Sequence, residues 1–201
     1  MKNALLLLSS LLLFWGSTDL FAQKLSKDIK VPNINTTDAV GSKIKLQNLL
    51  KENEKVLICF FRPVWCPICN KRTHELIERY DELKKKGIEV IAIYPSNKET
   101  MAQYVKDAEI PFTVISDPDE LIYKQYAIER SIKKMKLSYE VDAFKEVVAK
   151  GKKLYAGKSY PKKDEKYDSI INADFLVGAK RVLEVAYYGE YVGDHYSLDE
   201  L

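Results

Sequence analysis

The sequence predicts an α/β domain in three layers, with helices on both faces of a mixed sheet, and three observations carry that prediction. Two continuous apolar runs, 55–61 (KVLICFF) and 88–94 (IEVIAIY), read as strands buried on both faces, as central strands of a covered sheet do. The stretch between them, 67–86, places Ile68, Leu76, Ile77, Tyr80 and Leu83 at helical spacing among charges. The chain then closes on two strands, 173–177 and 181–188, joined by Gly178-Ala179-Lys180, which reads as a hairpin. Strands alternating with helices before a closing hairpin describe a mixed sheet covered on both sides.

The elements follow in order. Residues 31–46 alternate weakly around the turn Asp38-Ala39-Val40-Gly41 and predict a small hairpin, followed by a helical turn at 46–50. The helix over 67–86 begins at Pro67, where a missing N–H costs nothing, and stops at Gly87 behind three lysines that suit its C-terminal dipole. Ser96 or Asn97 opens a helix running to Ala108, and residues 111–115 form a short strand. Asp117 is read as the N-cap, and Pro118 as the first position, of a helix ending near Tyr126. Residues 128–150 are mostly helical, and 150–167, rich in Lys, Gly and Tyr, read as an exposed loop. Together they make 128–168 an insertion longer than an ordinary connection. A short helix follows Ser197.

The first 22 residues read as a secretory signal peptide. Lys2 supplies the charged start, 4–15 an almost unbroken apolar run, and Ala22 a small residue at the cut site. The run is shorter than the roughly 20 apolar residues a membrane helix needs. Export to a periplasm or beyond, with cleavage after Ala22, is therefore expected, and an N-terminal membrane anchor is the alternative. Residues 23–201 then form one domain. A net charge of +3 over 201 residues calls for no nucleic-acid partner, and the lysines at 150, 152, 153, 158, 162, 163 and 166 read as a solvated loop. Three cysteines are too few for a disulfide scaffold, so packing must hold the fold.

Two of those cysteines stand in Val64-Trp65-Cys66-Pro67-Ile68-Cys69, where a buried strand gives way to a helix. Unpaired N–H groups and the positive end of the helix dipole lower a thiol's pKa there and stabilise the reactive thiolate. Arg62, Lys71 and Arg72 add positive charge. Cys66 is expected at the helix mouth and exposed, to attack. Cys69, one turn in and partly shielded, is expected to resolve the mixed disulfide. A metal site fails on ligand count, since only Cys59, His74 and His195 remain, and no cofactor is expected. A purely structural disulfide across so short a loop would restrict the unfolded chain little. Cys59 reads as a small core residue, His74 as solvated, and His195 as structural or surface. Trp65 serves packing and the sulfur site about equally well.

The run FFRPVWCPIC, with VPNINTTDAVGSKIKLQNLL before it and IEVIAIYPSN, IPFTVISDPDELIYKQYAI and ADFLVGAKRVLEVAYYGEYVGDH after it, resembles the AhpC/TSA (redoxin, peroxiredoxin-like) branch of the thioredoxin fold. The resemblance implies a thioredoxin-like fold and thiol-dependent redox chemistry. Aligned on the helix, Cys69 takes the peroxidatic place and Cys66 that of a threonine, whereas in thioredoxin-like reductases Cys66 is the attacking thiol. Asn172 stands, three residues before Phe175, where peroxiredoxins place an arginine and thioredoxins a cis-proline. There it either presents hydrogen bonds to the sulfur site or merely turns the chain into a strand. Three functions are expected to compete. One is a thiol–disulfide oxidoreductase cycling Cys66 and Cys69 on protein thiols. The second is a peroxidase that reduces hydroperoxides and is recycled by an external thiol. The third is a non-catalytic module binding a partner through the insertion.

Overall fold

The computed structural model describes residues 23–158, 160 and 169–201. The expected signal peptide, and the part of the basic segment holding Lys162, Lys163 and Lys166, lie outside the described residues.

A hairpin of β1 (Asn35–Thr37) and β2 (Lys43–Lys45) precedes α1 (Leu46–Glu52). Its turn is held by Asp38, whose Oδ1 accepts from the N–H groups of Val40 and Ser42. Five strands then build the main sheet: β3 (Lys55–Phe60), β4 (Ile88–Tyr94), β5 (Thr113–Ser116), β6 (Ala173–Val177) and β7 (Leu183–Tyr188). Their spatial order is β5-β4-β3-β6-β7, with β3, β4 and β5 parallel and β6 and β7 antiparallel. The sheet is mixed, as expected, and β3 is its centre, which is why its sequence is apolar on both faces.

Helices α2 (Pro67–Lys85), α3 (Lys98–Asp107) and α6 (Phe144–Leu154) cover one face; α1 and α4 (Leu121–Gln125) cover the other. The first layer buries Leu57, Cys59, Leu76, Val90 and Tyr104, and the second Ile58, Phe60, Ile91, Tyr126 and Phe175. The alternation of β3 residues between the layers is the period-2 geometry of a strand. At the far end of α2, Gly87 takes φ +72°, a left-handed conformation that favours glycine and ends the helix.

Three expectations at the level of the elements are corrected, and a fourth, that 128–150 is mostly helical, holds with a break. Helix α4 starts at Leu121 rather than Pro118. Asp117 caps it from outside, accepting from the N–H groups of Leu121, Ile122 and Tyr123 at 2.8–3.1 Å, while Glu120, with φ 54°, is the cap residue by backbone. Residues 128–150 divide into α5 (Ile132–Leu137), a 3-10 turn at Ser138–Glu140, and α6. The break falls where buried Ser138 turns to accept from Val192 N. No exposed loop begins at 150: α6 continues to Leu154, and the rings of Tyr155 and Tyr160 pack on Tyr104 at 5.3 and 5.6 Å. Strand β7 begins at Leu183, since Lys180 and Arg181 (φ 57° and 65°) turn the chain first.

Candidate active site

Strand β3 ends in the middle of the sheet, and its pairing extends one residue further through Phe61 N to Ile93 O. The next five residues turn the chain into α2. Cys66 is the N-cap residue of α2 and Pro67 occupies its first turn. The backbone N–H groups of Ile68 and Cys69 are directed at the Cys66 sulfur. Arg62 Nη1 lies 3.7 Å from Cys66 Sγ, and the Arg62 backbone N–H donates to Cys69 Sγ at 3.3 Å. All three cysteines are free thiols.

The two sulfurs are driven apart in acidity. A hydrogen bond from Cys69 is the largest influence on Cys66. Burial opposes it, the Arg62 charge and the backbone N–H groups assist it, and the Cys66 thiol comes down to about 6. Burial pushes Cys69 up, and its hydrogen bond to Cys66 pushes the same way. One proton is therefore shared within the pair, and at neutral pH it resides on Cys69 while Cys66 carries the charge. Alkylation of Cys66 should accordingly rise with pH through a midpoint near 6 and level off by neutrality. Cys69→Ala, which removes the donor, should move that midpoint upward toward the ordinary thiol range near about 8.5. Iodoacetamide kinetics followed by mass spectrometry read both midpoints; a wild-type midpoint in the ordinary range would refute the assignment.

Cys66 was expected to be exposed, and the structure corrects this: it is 1% exposed. The insertion covers it. The α5–α6 segment lies over the start of α2 and roofs a half-open cavity of about 490 Å³ with Cys66 in its wall. Gly151 of α6 sits so close to the active-site turn that a Cβ there would fall 1.8 Å from the Pro67 carbonyl oxygen. Any side chain at this position would lift the helix off. On the other side, Lys134 donates to Gly189 O at 3.0 Å, and Ser138 Oγ receives Val192 N at 2.8 Å. Trp65 lines the cavity, and its ring faces the Arg62 guanidinium at 5.6 Å. The side chain thus serves the sulfur site as well as packing.

Asn172 does the first of the two things expected of it. Its Nδ2 donates to Phe60 O at 3.2 Å and reaches Cys69 Sγ at 3.8 Å, while its Oδ1 accepts from Gly193 N. It ties the Cys69 sulfur to the end of β3 and to the loop after β7. Cys59 is fully buried, and burial followed by the nearby Asp174 raises its thiol well above the usual range, so it stays protonated. His74 pairs with Glu78 on the solvated face of α2 at 3.2 Å. His195 is structural and not at the surface: its side chain is 5% exposed and its Nδ1 lies 3.0 Å from Asp174 Oδ2. Among the described residues no group of three or more His, Cys, Asp or Glu is placed to hold a metal ion.

Two features escaped the sequence reading. One is the buried trio Arg72, Asp174 and His195 behind α2. The other is the roof itself, although Phe144, Val147, Val148, Gly151 and Tyr155 recur at helical spacing and signal a buried face.

A vicinal thiol pair at the start of a helix, fed by the central strand of a five-stranded mixed sheet, defines an oxidoreductase of the thioredoxin fold. The chain belongs to the AhpC/TSA family, whose model matches residues 28–150. It is similar to peroxiredoxin Bcp of Escherichia coli strain K12, with 22% identity over 167 residues covering 83% of this chain and 88% of that protein. It is also similar to the chloroplastic peroxiredoxin Q of Triticum aestivum, with 27% identity over 113 residues, 56% of this chain and 51% of that one. Among solved structures, peroxidoxin BcpB from Mycobacterium tuberculosis shares the fold with a TM-score of 0.61 at 15% identity, over 85% of this chain and 90% of that one. A mutant of peroxiredoxin 6 of Arenicola marina does so with a TM-score of 0.62 at 14% identity, over 88% and 70%. Family and fold together make the chain a thiol-dependent oxidoreductase.

Proposed function

We propose that Cys66 and Cys69 form a cycling dithiol/disulfide couple in which Cys66 attacks and Cys69 resolves. The opposed acidities of the two thiols at the mouth of α2 carry this reading. With a disulfide as oxidant, the Cys66 thiolate attacks one sulfur, the S–S bond breaks and a thiolate leaves with the electron pair. Cys69 then loses its proton and attacks Cys66, expelling the second thiolate. Two electrons and two protons leave the dithiol, and an external thiol restores them.

Membership of the AhpC/TSA family favours a second reading on the same pair. The Cys66 thiolate attacks a hydroperoxide oxygen, the O–O bond breaks, and an alcohol or water leaves on taking up a proton. The resulting sulfenic acid condenses with Cys69, releasing water. Stopped-flow oxidation separates the two readings. Peroxide consumption orders of magnitude faster than that of a free thiol, and lost in Cys66→Ser, establishes the peroxidase. Disulfide reduction with peroxide reactivity no better than a free thiol establishes the reductase. Failure of both, with the thiols intact, removes the couple.

Residues 1–22 are assigned to export, with cleavage after Ala22, on the apolar run over 4–15 behind Lys2. Mass spectrometry of the mature N-terminus from an envelope or secreted fraction tests this; a chain retaining Met1 there would contradict it.

A further inference from the structure

We infer that the cavity roofed by the insertion is a selectivity site that admits small oxidants with an apolar body and an anionic group, and bars protein disulfides. The inference rests on Cys66 being the attacking sulfur, as proposed above. Its first support is access. Cys66 is buried, and among the described residues the cavity is the opening that has its sulfur in the wall; about 490 Å³ lies within the range of small-ligand pockets, roughly 300–1,000 Å³. A disulfide held on the surface of a folded protein is poorly shaped to present its sulfur to a buried thiol beneath α6. The close seat of Gly151 on Pro67, and the ties through Lys134 and Ser138, hold both halves of the roof down.

The second support is the chemistry of the walls. Trp65, Ile68, Met135, Tyr139, Phe144 and Val148 give an apolar lining, with the polarisable Met135 and the aromatic rings suited to a flat or branched body. The charges in the wall are all positive: Arg62 beside the sulfur and Lys152 from α6, with no carboxylate lining the cavity among the described residues. Arg62 faces the Cys66 thiolate, whereas Lys152 makes no ion pair among the described residues and is exposed. Lys152 is therefore the residue assigned to the anionic group of the oxidant. Thiolate transfer at Cys66 proceeds as written above: the bond broken is the oxidant's S–S or O–O bond, and the reducing electrons come from the Cys66/Cys69 dithiol.

The test uses the full chain without residues 1–22 and two matched pairs of probes. Dithiobis(nitrobenzoate), which carries carboxylates, is set against neutral dithiodipyridine. A carboxylate-bearing aryl hydroperoxide is set against cumene hydroperoxide. Each anionic-to-neutral rate ratio is divided by that of mercaptoethanol, which removes intrinsic reactivity. The wild-type ratio should exceed the reference roughly two- to fivefold, the scale of an ion pair at a solvated rim, and should shrink with added salt. Lys152→Gln should bring it down toward the reference, and Lys152→Arg should restore it. Whichever probe pair shows the effect identifies the class of oxidant as disulfide or hydroperoxide. Insulin should be reduced poorly, and Phe144→Ala, which thins the roof, should raise insulin reduction relative to dithiodipyridine.

Ratios equal to the reference in both pairs, or unmoved by Lys152→Gln, overturn the anionic preference while leaving the couple standing. Insulin reduction by wild type as fast as that of the small disulfide overturns the exclusion. If no probe reacts faster than with mercaptoethanol, and Cys66→Ser changes nothing, the dithiol couple and the selectivity site fall together.

Discussion

Cys66→Ser is expected to abolish turnover with any oxidant, a loss of several orders of magnitude. The attack needs a thiolate, and the only sulfur lowered to about 6 is that of Cys66. A serine hydroxyl in the same place is not ionised near neutral pH and cannot substitute. Cys69, left alone in this variant, is held protonated by burial. The complementary variant, Cys69→Ser, should keep the first step and lose the second. It should accumulate a mixed disulfide or a sulfenic acid on Cys66, visible as a fixed mass increase at stoichiometric oxidant. If Cys66→Ser kept turnover and Cys69→Ser lost the first step, the roles would be reversed, and Cys69 would hold the peroxidatic place that alignment on the helix suggests.

The second large effect is on stability. Asp174→Ala should destabilise the fold by about 3–5 kcal/mol, because it strips the partner from the Arg72 guanidinium and the His195 ring, which stay buried. Asp174 is 1% exposed on β6; it receives Tyr196 N at 2.8 Å and His195 Nδ1 at 3.0 Å, and forms an ion pair with Arg72, whose Nη2 lies 3.8 Å away. Burial would raise its carboxyl, but His195 and Arg72 more than offset this and hold it below the usual carboxylate range. A carboxyl depressed in the folded state contributes stability above its unfolded value, near about 4, and loses it as pH falls through the folded value. The difference between wild type and Asp174→Ala should thus be full at neutral pH and shrink in acid. Urea midpoints at neutral and acid pH measure it, with Asp174→Asn as a control that keeps the shape and removes the charge. Equal midpoints for wild type and the alanine variant would show the trio to be dispensable.

The strands were legible because they are central. β4 is expected at 88–94 and is found at Ile88–Tyr94; six of its seven residues are buried, and only Glu89 near its start is polar. The sulfur pair was legible for a local reason too: spacing and the strand-to-helix junction lie within one short run. What the sequence hid is non-local. Nothing near Cys66 says that residues 132–154 fold back over it, so local reading left it exposed. The position of α4 was misjudged because Asp117 caps through its side chain from four residues away, and a left-handed Glu120 intervenes. Asp174, in an otherwise apolar strand, was the visible sign of a buried charge, but its partners Arg72 and His195 come from distant turns of the chain.

The seat of Gly151 on the Pro67 carbonyl also imposes an order of events on a chain made from its N-terminus. The redox turn emerges long before the helix that shelters it. In the interval its sulfurs meet whatever oxidant the surroundings hold, of any size. The discrimination proposed for the roof would thus belong to the finished protein alone, and a nascent chain cross-linked early would have to be reduced before it could work.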